Sequence, residues 1–243
     1  MDPRPTLEIC CETPSGVRAA KQGGADGVEL CSALDLGGLT PGAGLVRAAL
    51  DAADGLPVQA MVRPRAGDFV LDDDDLEACL ADIAFMRRLG VAGVVFGAAA
   101  ADGGLDVPAL DRLVAASAGM TTTLHRVVDL CPDPVAAVAV AEGLGFDRIL
   151  TSGGAPRAID GAATLRRMAT AARRVQIVAG GGVSADTAPD ILRTGVRALH
   201  ASCGAERRSA GAMSRLSLPE IQRRTDPGAV AALRRSIDME AAA

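Results

Sequence analysis

Short apolar runs rich in β-branched residues recur along the chain and alternate with longer stretches of helical character. They predict eight strands, at Thr6–Cys11, Gly27–Cys31, Val58–Arg63, Gly93–Gly97, Thr121–Arg126, Arg148–Ser152, Val175–Ala179 and Ala198–Ser202. The spacing between successive strand starts suits one strand followed by one crossover helix. Eight such units favour a closed parallel barrel over an open sheet. We therefore predict an α/β protein with one domain over residues 1–243, a single (β/α)8 TIM barrel.

Helix signals lie between the predicted strands and after the last one. Pro14–Gln22 forms a helix that stops at a pair of glycines, and another helix begins at the acidic run Asp72–Asp75. Acidic residues at a helix start and basic residues at its end suit the helix dipole, so we interpret this run as capping and not as a metal site. The tail, residues 205–243, is rich in Arg, Ser and Gly and leads to a C-terminal extension helix near Gly228–Ala241.

Composition narrows the class of partner. The chain has 243 residues, is 49% hydrophobic and carries a net charge of −5, so a basic nucleic-acid footprint is absent and no nucleic-acid partner is expected. No apolar run approaches the roughly 18 residues of a membrane span, so no membrane partner is expected. The first residues lack the features of a secretory signal, and the six cysteines are read as reduced thiols. These features predict a cytoplasmic protein that acts on something small.

Strand alternation brings ionisable side chains into the barrel interior. In the first strand Leu7 and Ile9 form the apolar face that packs under the helices, so Glu8 and Cys10 face inward. The same alternation places further inward residues late in other strands, where TIM-barrel enzymes hold their active sites. These residues are Glu29, Cys31, Met61, Arg63, Thr123, His125, His200 and Ser202.

Several of these residues are candidates for acid–base catalysis. Two carboxylates close together raise one pKa, so that one acid and one base coexist. Asp129 follows the fifth strand and is predicted to orient His125. The proposed catalytic set is Glu8, Glu29, His125, Asp129 and His200. A structural ion-pair network with satisfied core histidines is the alternative.

Arginines and glycine-rich turns at the same end of the barrel suggest an anion site. Arg63 and Arg65 flank a proline and offer forked donors to a carboxylate or phosphate. Loops after the last strands of many barrels bind phosphate through backbone amides. The predicted anion-binding residues are Arg63, Arg65, Asp68, Ser152, Gly180, Gly181, Gly182 and Ser202. Tight turns that need positive φ are the alternative for the glycines.

Two inward cysteines offer a metal site. Adjacent strands run about 4.8 Å apart, so Cys10 and Cys31 are able to reach one soft ion, and a thiolate pair suits Cu(I) better than harder divalent ions. The spacing is not a CxxC motif, and the positive charge of Arg63 disfavours a cation. From the residues alone, both interpretations stay open.

Motifs spread along the chain resemble one family. They are Leu7–Cys11, Gly24–Asp26, Val28–Cys31, Gly37–Pro41, Arg63–Phe69, His125-Arg126, Asp129, Leu150–Gly153 and Gly180–Val183. Together they resemble the CutC family over about residues 6–204. The resemblance implies a TIM barrel, a cytosolic location, a homo-oligomer (dimer or tetramer) and copper-ion binding in copper homeostasis. It implies Cu(I) at Cys10 and Cys31, and no organic cofactor is expected.

The chain departs from the family pattern at a few positions. Ala66 and Gly27 replace a usual Gly and Arg, and Leu124 and Val128 stand where the family carries Phe. The loss of aromatic rings predicts a pocket of altered shape. The Glu, Cys, Arg and His positions remain.

Two functions of different class follow. One is a metal-binding protein that holds a copper ion. The other is an enzyme of unknown reaction that acts by acid–base chemistry on a small anionic metabolite, a phosphate or carboxylate, in the barrel mouth. A scaffold that acts through its surface explains the charged interior least well.

Overall fold

The structure is a computed structural model that describes residues 4–208, 211, 213–216 and 221–242. Eight parallel strands form a closed barrel in chain order, each paired with the next and the eighth with the first. They are β1 (Thr6–Cys11), β2 (Gly27–Leu30), β3 (Val58–Met61), β4 (Gly93–Phe96), β5 (Thr121–Leu124), β6 (Arg148–Thr151), β7 (Gln176–Gly180) and β8 (Ala198–Ala201). The predicted TIM barrel is confirmed.

Eight α-helices surround this barrel in the described parts of the chain. They are α1 (Pro14–Gln22), α2 (Ala43–Ala53), α3 (Asp73–Leu89), α4 (Val107–Ala116), α5 (Pro134–Leu144), α6 (Ala162–Ala171), α7 (Ala188–Leu192) and α8 (Pro227–Ala241). The acidic run caps α3 as predicted: the Asp72 side chain accepts a hydrogen bond from the Asp75 amide, and Gly90 ends the helix with φ 83°.

The predicted C-terminal extension helix is α8, and it packs against both α7 and α1. It therefore completes the ring of helices around the barrel. Gly23 makes this close approach possible, because a Cβ at that position would overlap the Val230 side chain. The buried Arg234 guanidinium binds the Pro5 carbonyl and the carboxylates of Asp26 and Asp238, which ties α8 to the start of β1.

An antiparallel hairpin interrupts the last barrel unit, and the sequence did not predict it. Its strands are β9 (Gly204–Arg208) and β10 (Ile221–Thr225). The chain leaves the barrel at Cys203 and returns at Asp226, whose amide donates to the Cys203 carbonyl at 2.9 Å. The extent of the domain over residues 1–243 stays a prediction, because part of the tail lies outside the described residues.

The apolar core lies between the barrel and the helices. Leu7, Ile9, Val28 and Leu30 are fully buried there, as the alternation of β1 and β2 predicts. Within the described residues, no helix combines the length and the apolar character needed to cross a membrane. The opposite faces of the strands, which carry polar side chains, point into the barrel interior.

Candidate functional site

A hydrogen-bonded polar layer crosses the barrel interior below the mouth. Glu8 on β1 accepts from Arg148 Nη1 on β6 at 2.7 Å and from Gln59 Nε2 on β3 at 2.6 Å. Thr123 Oγ1 on β5 donates to Gln59 Oε1 at 2.9 Å. This layer satisfies Glu8 from two sides and forms a floor. Glu8 does not line the cavity above it.

A cavity of about 260 Å³ opens above this floor, at the carboxyl ends of the strands. Its volume lies just under the range of about 300–1,000 Å³ usual for drug-sized ligands, so it suits a small molecule or an ion. Of the residues predicted from sequence, it brings together Cys10, Glu29, Cys31, Arg63, His125, Gly181, Gly182, His200 and Ser202.

Two cysteine thiols meet on one wall of the cavity. The register pairs Cys10 with Glu29, and the Cys10 and Cys31 Sγ atoms lie 3.9 Å apart. Their mutual hydrogen bond lowers the pKa of the Cys10 thiol and, together with burial, raises the pKa of Cys31 well above its ordinary value. All six cysteines of the chain are free thiols. Two adjacent sulfur donors, one of them with a lowered pKa, fit a soft monovalent ion such as Cu(I).

Glu29 and His200 form a buried pair beside the thiols. His200 Nε2 lies 2.5 Å from Glu29 Oε2. Burial opposes a charged imidazole, but the Glu29 carboxylate and hydrogen bonds to Glu29 and Cys10 outweigh it, so the pKa of His200 is raised well above its ordinary value. The other Glu29 oxygen, Oε1, is buried without a hydrogen-bond partner. Glu29 therefore presents a free acceptor.

His125 faces the cavity as a neutral donor. Its Nδ1 accepts a hydrogen bond from the Val127 amide at 3.2 Å, which places the ring proton on Nε2, and the ring packs on Phe69 with centroids 4.6 Å apart. Burial, together with the Arg63 charge, lowers the pKa of His125 to about 3. Nε2 is buried without a partner. The imidazole thus offers an N–H, and it is too weak a base to carry a charge near neutral pH.

Arg63 is a buried cation held by carbonyls. Its Nη1 donates to the Leu36 and Gly38 carbonyls and its Nη2 to the Gly67 carbonyl, while its guanidinium lies 4.8 Å from the centre of the Phe69 ring. Burial, then the charge of Arg65, lowers the pKa of Arg63. No carboxylate in the described chain forms an ion pair with it, and its Nε has no partner.

Arg65 and Asp68, predicted to bind or orient an anion, lie outside the cavity. Arg65 donates to Asp75 at 2.7 Å and to Asp68 at 3.1 Å in exposed surface pairs. These contacts raise the pKa of Arg65, with the Asp75 hydrogen bond the largest cause. The stiff loop around Pro64 turns the second arginine away from the mouth, so the predicted clamp reduces to Arg63.

Asp129 does not orient His125, which corrects the prediction. The chain leaves β5 at Leu124 and forms a short 3-10 helix, Arg126–Leu130, which turns Asp129 toward the loop after β6. There its carboxylate accepts from the Arg126 guanidinium, the Thr151 hydroxyl and the amides of Ser152 and Gly154. Asp129 is therefore a positioning residue for that loop.

Ser152 and Gly180 also lie off the cavity wall. The buried Ser152 hydroxyl accepts from Arg126 Nη2 at 2.6 Å and donates to Asp129 at 2.9 Å. Gly180 lies within β7, where a Cβ would approach Leu150 at 2.6 Å. Neither position lines the cavity, where the sequence predicted contact with an anion, and Ser152 instead bonds Arg126 and Asp129.

Sequence reasoning missed four residues of the site. Gln59 and Arg148 face inward by the same strand-alternation rule that identified Glu8, so this rule could have identified them as well. Arg126 was not singled out as a site residue, and the 3-10 turn after β5 places it on the cavity rim. Phe69 had no strand pattern that placed it near His125.

Comparisons with known proteins agree with the motifs. The CutC family profile matches residues 5–205. A CutC family protein of Rhizobium meliloti (strain 1021) is 44% identical over 98% of both chains, and one of Caulobacter vibrioides is 45% identical over 94% of this chain and 95% of its own. The crystal structure of CutC from Streptococcus agalactiae, described as a copper homeostasis protein, superposes with a TM-score of 0.78 at 29% identity, covering 82% of this chain and 98% of its own.

Proposed function

The chain belongs to the CutC family, and from that premise we propose that it binds Cu(I) between Cys10 and Cys31 as part of a copper homeostasis role. The observation that carries the proposal is the 3.9 Å separation of two buried, free thiols that face one cavity. A metal–sulfur distance of about 2.3 Å, as in zinc sites, allows one ion to contact both sulfurs at that separation. When bound, the ion would be held by these two thiolates.

Charges around the thiols support this site. A monovalent ion between two thiolates has a net charge of −1, and Arg63 and protonated His200 line the same cavity. Of these two cations, His200 lowers the pKa of the Cys10 thiol, which favours the thiolate form that binds soft metals. Glu29 completes a group with Cys10 and Cys31 in which ligand atoms lie within 4.8 Å of one another, but its hard oxygen is second to sulfur for Cu(I).

The test is an anaerobic Cu(I) titration against a coloured chelator. Wild type should take up one ion per chain. Cys31→Ser should lose tight binding by orders of magnitude, because one of two soft ligands is gone. Cys79→Ser, at a buried thiol on α3 outside the cavity, is the matched control and should bind like wild type. Equal loss in both variants, or no loss in either, contradicts the two-thiol site.

A second candidate function is supported by a different observation: several buried polar atoms of the cavity have no hydrogen-bond partner among the described residues. Arg63 is buried without a carboxylate partner among the described residues, and three atoms, Glu29 Oε1, Arg63 Nε and His125 Nε2, have no hydrogen-bond partner. Such groups are costly unless a ligand satisfies them. They suit an enzyme in which Arg63 binds a small anion, His125 donates to it, and the Glu29–His200 pair moves a proton.

Anion binding at Arg63 tests this candidate. Calorimetric titration with small carboxylates and phosphates should show binding to wild type that weakens at least about tenfold in Arg63→Gln, because charge-assisted hydrogen bonds are lost. Arg65→Gln, beside it in sequence but outside the cavity, should bind like wild type. Identical isotherms for a folded Arg63→Gln variant would make Arg63 structural. Native mass spectrometry of the purified protein identifies any retained metabolite or copper ion.

A cytoplasmic location, predicted from the sequence features and the family resemblance, and a homo-oligomeric state, predicted from the resemblance, remain predictions. Light scattering of the purified protein measures the second directly. A dimer or tetramer is the expected result. A monomer at all concentrations tested contradicts it.

A further inference from the structure

We propose that the rim formed by the loops after β7 and β8 is a phosphate subsite with Arg126 as its anchor, so that the substrate is a small phosphate monoester. The proposal rests on the second candidate function, since it names the substrate class of that cavity. It assigns the phosphate group to Arg126 and the β7 loop, in place of Arg63, to which the candidate function gave the anion.

Three backbone amides of the β7 loop lack a hydrogen-bond partner among the described residues. Gly181, Gly182 and Val183 line the cavity, and their N–H groups donate no hydrogen bond within the described chain. Gly181 and Gly182 have φ of 97° and 68°. Consecutive amides in such a turn form the concave nest in which proteins bind anions. Glycine adopts these angles without strain, so the glycines of the turn make the nest conformation possible.

Arg126 adds a fixed charge beside these amides. Its Nε donates to Asp129 at 2.8 Å and its Nη2 to Ser152 at 2.6 Å, so the guanidinium is held from one side. Its Nη1 has no hydrogen-bond partner in the described chain and faces Gly181, where a Cβ would lie 3.4 Å away. The Asp129 carboxylate thus orients the arginine and leaves its outer edge for a ligand.

Buried, unpartnered groups in the same cavity point to the rest of the ligand. His125 is 4% exposed and lines the cavity with Nε2 unsatisfied, and Glu29 Oε1 and Arg63 Nε are likewise buried without partners. A molecule with its phosphate at the rim would satisfy these atoms with its reacting end. The cavity volume of about 260 Å³ suits a small molecule.

The donor set favours phosphate over carboxylate. A phosphate monoester presents three terminal oxygens and up to two negative charges, so it accepts from several converging donors at once. The subsite offers several such donors: three backbone amides, one edge of the Arg126 guanidinium and the exposed Ser202 hydroxyl. A carboxylate has two oxygens in one plane and would leave part of the nest unfilled. Arg63 already donates to three backbone carbonyls, so it has fewer free N–H groups to offer a phosphate.

The test follows inorganic phosphate by nuclear magnetic resonance with ¹⁵N-labelled protein. Phosphate should shift the amide signals of Gly181, Gly182 and Val183 saturably, while Gly55, in a distant loop, stays unchanged. Arg126→Gln should weaken phosphate binding about ten- to a hundredfold, since charge-assisted contacts are lost. Arg126→Lys keeps the charge but loses the fork, and should fall between the two. Arg65→Gln is the matched control and should titrate like wild type.

Three outcomes separate this proposal from the function it rests on. If phosphate leaves the β7 loop signals unchanged, or shifts only Gly37 and Gly67 around Arg63, the rim subsite is overturned. If carboxylates still bind at Arg63 in that case, the acid–base candidate survives without a phosphate substrate. If Arg126→Gln does not fold, the wild-type amide shifts alone decide the question.

Discussion

Arg148 on β6 donates to Glu8 on β1 at 2.7 Å, straight across the barrel interior and 140 residues apart in the chain. Both side chains are close to fully buried, at 12% and 9% exposure. A buried pair of this kind contributes little net stability, but each member depends on the other. Glu8 therefore belongs to the hydrogen-bonded floor of the cavity.

Breaking this pair from one side should be costly. Arg148→Met should lower the free energy of unfolding by about 3–5 kcal/mol, because it leaves the Glu8 carboxylate buried and uncompensated. The double variant Glu8→Leu with Arg148→Met should recover most of the loss. Urea denaturation of the three proteins measures this. A double variant as unstable as the single one contradicts the mutual dependence.

The depressed pKa of His125 predicts a pH dependence of stability. His125 is neutral in the folded state down to about pH 3, whereas in the unfolded chain it gains a proton below about 6.5. The unfolded state therefore binds more protons in this window, and stability is lost as pH falls from 6.5 toward 3. At pH 5.5 the loss from this group is about 1.4 kcal/mol.

His125→Gln isolates that contribution. The variant keeps a polar side chain but has nothing to titrate, so its stability should fall by about 1.4 kcal/mol less than wild type between pH 7.5 and 5.5. Contributions from the other titrating groups are common to both proteins and cancel in the difference. Parallel pH profiles would mean that His125 is protonated in the folded protein.

The contact between α1 and α8 should tolerate no added methyl group. Gly23→Ala places a Cβ against Val230 and the Pro227 carbonyl, and should destabilise the fold by about 1–3 kcal/mol. Gly143→Ala, at an exposed position of α5 where a Cβ meets nothing within 4 Å, is the matched control and should not lower stability. Thermal unfolding of both variants checks it. Equal effects contradict close packing of α8.

Asp129 should affect anion binding without touching the anion. Asp129→Asn weakens the hold on Arg126, so we expect phosphate affinity to fall severalfold while the barrel stays folded. Asp68→Asn, at an exposed carboxylate paired with Arg65, should leave the phosphate isotherm unchanged. Isothermal calorimetry compares them. Unchanged affinity in Asp129→Asn means that Arg126 needs no support from this residue.

The barrel and its inward residues followed from the sequence because strand alternation is a local rule. The alternation of apolar Leu7 and Ile9 with Glu8 and Cys10 predicts which face of β1 is buried under the helices, without information from the rest of the chain. The rule fails where a strand ends: β5 stops at Leu124, two residues before its predicted end, and the turn that follows redirects Arg126 and Asp129. The hairpin was missed for a related reason, since β9 and β10 are mostly polar and exposed and carry no alternating apolar signal.

Side-chain partners were harder still to predict, because each depends on several elements at once. Arg63 and Arg65 have the same chemistry and stand two residues apart, but one is buried under Phe69 and the other pairs with Asp75 on α3. Which arginine turns inward depends on where α3 presents its acidic start. No pattern within the loop itself contains that information.

The hydrogen bond between the Asp226 amide and the Cys203 carbonyl has one more consequence. Because the chain leaves the barrel and returns to it at neighbouring points, the length of the segment between them does not affect the geometry of the barrel. The family match ends at residue 205, just as this segment begins. Its strands border a groove with Cys10 and Ser202 at the mouth. Changes of length or sequence in this segment are therefore expected to alter the border of that groove while leaving the barrel interior unchanged.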